Sequence, residues 1–185
     1  MEGSASRPPY GANAAGLTRP IAGDTNARDL VEIRRFFDYG ATGGSDTRGE
    51  FAFLADRPPS DWEKITERAD VRRFSRGDTI IAAGDKDQAL YIQVEGSVGV
   101  FLPGADQPFT VIEAPSVLGE VAFLDGGPRT ATLVAIDDCE LLRLSMQAYE
   151  VLAAHDPVLG RAILLDLGRI LATRLRAANK LLAGE

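Results

Sequence analysis

The sequence predicts a mainly β fold with flanking helices, and three observations carry that reading. Between residues 71 and 144 apolar residues alternate with polar ones in short runs. Leu90, Ile92 and Val94 form one run, and Val98, Val100 and Leu102 form the next. This is the period of a strand with one face buried. Turn-forming pairs interrupt the runs at Gly77-Asp78, Gly84-Asp85, Glu95-Gly96 and Pro103-Gly104, so the strands are short and closely spaced. Such a series reads as an antiparallel sandwich or barrel. The third observation is a change of period: after Ser145 the apolar residues recur every three or four positions, as on a helix.

In chain order, residues 1–50 are expected to be a flexible extension. The first 25 are rich in Gly, Ala, Pro and Ser without periodicity. A short helix is expected at 27–39, with Leu30, Ile33 and Phe37 on one face and Gly40 to stop it. The folded domain is expected over 51–185. Its leading helix follows Pro58 and Pro59, with Ser60 as cap and Trp62, Ile65 and Ala69 along one side. The β-region covers about 71–144, including strands at 109–113, 130–136 and 140–144. Helices are expected over 145–183: Ser145 caps the first, which His155-Asp156 ends. Asp156-Pro157 then supplies an N-cap followed by proline at the first helical position. The last helix carries a stripe of Leu159, Ile163, Leu167, Leu171, Leu175, Ala178 and Leu182, widened by Leu164 and Ile170. A stripe of that length packs on its own barrel or against a second copy.

Composition narrows the function. A chain of 185 residues has room for one domain and a tail. The net charge of -7, without a basic block, argues against sequence-independent nucleic-acid binding. No apolar run approaches membrane-spanning length, and the first residues lack the charged-then-apolar layout expected of a secretion signal. The single cysteine, Cys139, allows no internal disulfide and sits in an apolar run, as expected of a packed thiol in a reducing cytoplasm. The single histidine, His155, reads as a capping or surface residue, and one histidine cannot build a metal site of several.

The informative stretch runs from Val117 to Leu133, V-L-G-E-V-A-F-L-D-G-G-P-R-T-A-T-L. Gly119 lets backbone approach a ligand without a Cβ in the way. The helix-capable run after it would present free N–H groups where a phosphate is favoured. Arg129 adds a planar, permanently charged fork suited to phosphate oxygens. Glu120 would repel an anion, so its presence makes sense if it accepts from a sugar hydroxyl while Arg129 holds a phosphate.

With these residues in view, the sequence resembles the cyclic nucleotide-binding domain family. Gly119, Glu120, Ala122, Pro128, Arg129 and Ala131 fall in register with its phosphate-binding cassette. The segment 74–100, F-S-R-G-D-T-I-I-A-A-G-D-K-D-Q-A-L-Y-I-Q-V-E-G-S-V-G-V, matches a second family signature upstream. The cassette departs from the pattern at Leu118, where an aromatic is usual, and at Pro115-Ser116, where a Gly-acidic pair is usual. The resemblance covers about 51–185.

The resemblance implies a jelly-roll β-barrel followed by a long lid helix. It implies a ligand set of Val100, Phe109, Thr110, Leu118, Gly119, Glu120, Val121, Ala122, Arg129, Thr130 and Ala131. In that set Arg129 and backbone N–H groups after Gly119 take a cyclic phosphate, Glu120 takes the ribose 2′-hydroxyl, and Val100, Phe109 and Thr110 line the apolar wall. Thr130 offers a hydroxyl to purine or phosphate, and a residue within 171–179 covers the base. The ligand implied is cAMP, with cGMP as the other choice, and no cofactor is expected. The expected role is a receptor that signals to a protein partner, or through a homodimer of its last helix, without direct DNA binding or membrane insertion. The alternative is the same fold serving as a protein-interaction module without ligand. Catalysis is not expected, because neither metal-binding clusters nor a nucleophile with its base can be read from the chain.

Overall fold

Strand β3, Ala89–Glu95, explains the layout. Six of its residues, Ala89 through Val94, are buried, although their types read as a strand with one solvated face. In the computed structural model, which describes residues 53–183, β3 lies inside a sheet of order β1-β8-β3-β6. Leu90, Ile92 and Val94 face a core shared with the helices. Ala89 and Tyr91 face a second core, shared with the opposing sheet of order β2-β7-β4-β5. Both faces are covered, so the alternation appears as two apolar environments rather than as inside and outside.

The remaining elements are α1 (Pro59–Thr66), β1 (Asp70–Phe74), β2 (Thr79–Ile81), β4 (Ser97–Phe101), β5 (Thr110–Glu113), β6 (Ser116–Leu118), α2 (Glu120–Asp125), β7 (Thr132–Ala135), β8 (Cys139–Ser145), α3 (Met146–His155) and α4 (Pro157–Ala183). Every strand pairing is antiparallel. The fold is the expected antiparallel β architecture of jelly-roll type with flanking helices and a long C-terminal helix. It is built as two four-stranded sheets.

Several local expectations need correction. Helix α1 begins at Pro59, with Pro58 extended at the N-cap and no side-chain cap bond, so Ser60 is not its cap. Proline at the first helical position has its φ already set and no N–H to satisfy. Strand β4 ends at Phe101, and Leu102 is exposed. Phe109 precedes β5, and β7 is shorter than 130–136. On α4, Leu159, Ile163, Leu167 and Ile170 are buried, whereas Leu164 and Leu175 are exposed. Each four-residue step overshoots a full turn by about 40°, so the row read from the sequence rotates off the core. The expected tail, its 27–39 helix, Phe51 and the side chains of Ala178 and Leu182 lie outside the described residues.

The joint between α3 and α4 follows its sequence. Ser145 Oγ accepts from the Ala148 N–H at 3.1 Å, and Asp156 Oδ1 accepts from the Leu159 N–H at 3.0 Å. A Cβ at Gly160 would lie 2.6 Å from Ala153 Cβ, so glycine permits the two helices to cross. The buried Tyr149 hydroxyl donates to the Gly160 carbonyl at 3.1 Å. From α1, Lys64 Nζ donates to Asp156 Oδ2 at 2.6 Å and ties that helix to the same joint. His155 is exposed, with Nδ1 2.8 Å from the Val151 carbonyl oxygen.

Candidate functional site

The site is built around a turn. Strand β6 carries the chain into the interior, and Gly119 reverses it with φ 76° and ψ 16° before α2 begins. Glycine is required twice over at this position. The left-handed conformation disfavours a side chain, and a Cβ would collide with Arg129 Nη1 and lie 3.2 Å from the Ala89 carbonyl oxygen. Helix α2 is anchored by Ala122 and Phe123, both buried, and Phe123 meets Tyr149 edge-on at 5.4 Å. The Phe123 N–H reaches the Gly119 carbonyl at 3.2 Å. The N–H groups of Glu120, Val121 and Ala122 begin the helix and have no intrahelical acceptor.

Arg129 returns to this turn from the loop before β7 and is 4 % exposed. Its Nη1 donates to the Gly119 carbonyl at 2.9 Å. Its Nη2 donates to the Ala89 carbonyl at 2.7 Å and to Asp87 Oδ2 at 3.1 Å. Tyr91 lies beneath it, with Cζ 5.8 Å from the ring centre. Burial first, then the Asp87 charge, pushes the Tyr91 hydroxyl up from its ordinary value. Arg129 Nε is buried without a hydrogen-bond partner among the described residues. A buried N–H on a permanent cation is costly to leave unpaired. That edge of the guanidinium suits an anionic oxygen.

Glu120 is 6 % exposed, an uncommon place for a carboxylate without a partner. Its partner is Arg174 of α4, whose Nη1 donates to Oε1 at 2.6 Å. Arg174 Nη2 also donates to the Val117 carbonyl at 2.8 Å and approaches Ser116 Oγ at 3.4 Å. The long helix therefore meets the cassette through a polar link, Arg174 to Glu120, and through the core that Phe123 shares with Ile163, Leu167 and Ile170. The sequence reading did not single out Arg174, although a signal was present. It falls four residues after Ile170 and seven after Leu167, on the row that is buried, where an arginine needs a partner.

The remaining predicted ligand residues divide by position. Leu118 is buried in the second core, and Val100 packs against that same core. Val121 and Ala131 are half-buried, and Thr130 is exposed. Thr110 is exposed and pairs with Val100 across β4 and β5. Phe109 is 59 % exposed, and its N–H donates to the Val100 carbonyl at 2.7 Å. The structure thus gathers Leu118, Gly119, Glu120, Ala122 and Arg129 around one turn. Phe109 and Thr110 stand at the end of the β4–β5 hairpin.

Cys139 is buried, and its Sγ donates to the carbonyls of Ser97 and Asp137. Burial pushes the thiol up from its ordinary value. Among the described residues no group of three or more His, Cys, Asp or Glu is placed to hold a metal ion. Nor is any helix among them long and apolar enough to cross a membrane.

An antiparallel β-roll that inserts a Gly-Glu turn, one short helix and a buried arginine between two strands is a domain of jelly-roll type. The family model described as "Cyclic nucleotide-binding domain" matches residues 71–156, and this part of the chain belongs to that family. The chain is 34% identical over 111 residues to the "Cyclic AMP receptor protein" of Thermus thermophilus, covering 58% of this chain and 50% of that protein. It is 30% identical over 114 residues to a "cAMP-dependent protein kinase regulatory subunit" of Aspergillus niger, covering 61% of this chain and 28% of the relative. Among solved structures it is similar to the Thermus thermophilus catabolite activator protein, with TM-score 0.62, 29% identity and coverage of 71% of this chain and 61% of that chain. The chain spans about half the length of the first of these curated relatives, and less of the second.

Proposed function

We propose that this chain is a cyclic nucleotide receptor module with cAMP as its ligand. The observation that carries the reading is the buried, unpartnered Nε of Arg129 beside the Gly119 turn. A cyclic phosphate oxygen takes that N–H, and the free N–H groups at the start of α2 take the other exocyclic oxygen. Glu120 accepts from the ribose 2′-hydroxyl. Val100 and Leu118 line the wall against sugar and base, Phe109 and Thr110 border it, and Thr130 offers its hydroxyl from the exposed side. Two relatives bearing cAMP in their names support cAMP over cGMP as the first choice.

Helix α4 acts as the lid. Arg174 donates to Glu120, so a ribose hydroxyl arriving at that carboxylate competes with the tie from α4. Nucleotide thereby biases the position of the helix by its differential affinity for the two arrangements. The output passes to a protein partner or to a second copy through the outer row of α4, where Leu164, Leu165 and Leu175 are exposed. The module binds and signals without a chemical step.

The second reading, a protein-interaction module without ligand, draws on the same pair, since an occupied Glu120 leaves the ribose acceptor already satisfied. Calorimetric titration with cAMP, cGMP and AMP, alongside a spectroscopic probe on α4, separates the two. The receptor reading expects saturable binding of cAMP, far weaker binding of AMP, and a signal from α4 that tracks occupancy. No binding of either cyclic nucleotide would leave the interaction module.

A further inference from the structure

We infer that Arg143 is a positioning residue for the phosphate site, acting through Asp87 to keep the charge of Arg129 available to an incoming anion. The inference rests on the receptor reading above and assigns it a part that lies outside the cassette. Arg143 stands on β8 directly across from Tyr91 on β3, while Arg129 lies over the ring of that same tyrosine. Asp87, just before β3, sits between the two guanidinium groups. Its Oδ1 accepts from Arg143 Nη2 at 2.7 Å, and its Oδ2 accepts from Arg129 Nη2 at 3.1 Å. One carboxylate is shared by two arginines, and the shorter bond goes to Arg143.

The sharing matters because of what else Arg129 touches. Its other acceptors are the carbonyls of Gly119 and Ala89, which carry no net charge. Among the described residues Asp87 is the one carboxylate paired with it. The Asp87 side chain is 40% exposed whereas that of Arg129 is 2% exposed, so the carboxylate has room to move and the guanidinium has little. An anion approaching the open Nε edge meets a cation partly cancelled by Asp87 and is itself repelled by that carboxylate. Arg143 opposes both effects by drawing Asp87 toward its own side. Asp70 also faces Arg143, at 3.6 Å, and its carboxylate is shared with Arg72 at 3.2 Å. Arg143 also meets the Tyr91 side chain, and of its two carboxylate contacts the one to Asp87, at 2.7 Å, is the closer.

Without Arg143, the carboxylate closes on Arg129 and competes with the phosphate. The test is a double-variant cycle read by calorimetry with cAMP, with thermal melting of each protein alongside. Arg143→Gln is expected to weaken binding roughly fivefold to tenfold, and the same change in an Asp87→Asn background by less than about twofold. Arg143→Lys, which keeps the charge, is expected to stay within about twofold of the unaltered protein. It decides the matter alone if Arg143→Gln does not fold, and a larger loss on lysine substitution would then overturn the inference. Equal loss in both backgrounds, following a drop in melting temperature, would make Arg143 a structural residue and overturn it too. A protein that binds no cAMP before any substitution would overturn the receptor reading and this inference with it. Binding that is intact but insensitive to Arg143 would overturn the inference alone.

Discussion

Arg129 and Glu120 are two buried charges at one turn, yet different parts of the molecule hold them. Among the described residues the hydrogen-bond partners of the Arg129 side chain belong to the β-roll: Gly119, Ala89 and Asp87. Glu120 is held by Arg174 from α4, an element packed on the other core of the same sheet. On the proposed reading the phosphate end of the site is therefore preorganised by the roll. On that same reading the sugar end is completed by α4, whose tie to Glu120 the nucleotide would replace. A receptor needs that asymmetry, because a site held wholly within the roll would bind without reporting, and one held wholly by α4 would be poorly formed before binding.

Removing the fixed half should have the largest effect. Arg129→Leu leaves a desolvated phosphate without its cation and is expected to weaken cAMP binding by about 2–4 kcal/mol. Calorimetry checks this, and unchanged affinity would remove Arg129 from the site. Gly119→Ala strikes the turn on which both halves depend. The added Cβ collides with the Arg129 guanidinium in a left-handed conformation, and a stability loss of about 1–2 kcal/mol from the backbone alone is expected. Denaturant unfolding measures it, and an alanine variant of undiminished stability would show that the turn can relax.

The smallest expected effect probes the base of α4 through pH. The Lys64 side chain first, and then the Leu159 N–H, hold Asp156 below its ordinary value of 3.8. A carboxyl lowered in the folded state contributes stability that is complete above its unfolded value and is lost as pH falls through the folded one. The melting temperature should therefore fall more steeply below about pH 4 in the unaltered protein than in Asp156→Asn. Parallel curves would mean that the Lys64–Asp156 tie does not stabilise the joint.

What the sequence made legible follows from how local each feature is. The meeting of Gly119, Glu120 and Arg129 at one turn could be read because those residue types stand at short spacing within one cassette. Caps at Ser145 and Asp156 were legible for the same reason. Arg174 escaped because arginines on a long amphipathic helix are ordinarily solvated, and 54 residues separate it from Glu120. Asp87 and Arg143 meet across 56 residues, a meeting fixed by strand register rather than by any local pattern. Strand β3 was legible as a strand, but its burial on both faces depends on which sheet it joins. Phe109 was read as part of a wall, and the end of the β4–β5 hairpin leaves it exposed.

The central claim is that one bound ligand spans both halves. It is tested most directly by titrating cAMP and its 2′-deoxyribose analogue into the unaltered protein and into Glu120→Ala. The unaltered protein should prefer the ribose ligand by about 1.5–3 kcal/mol, the range for a hydrogen bond to a charged group. The variant should lose that preference while still binding the 2′-deoxy ligand. An equal loss of affinity for both ligands would contradict the claim, because Glu120 would then support the turn without meeting the sugar.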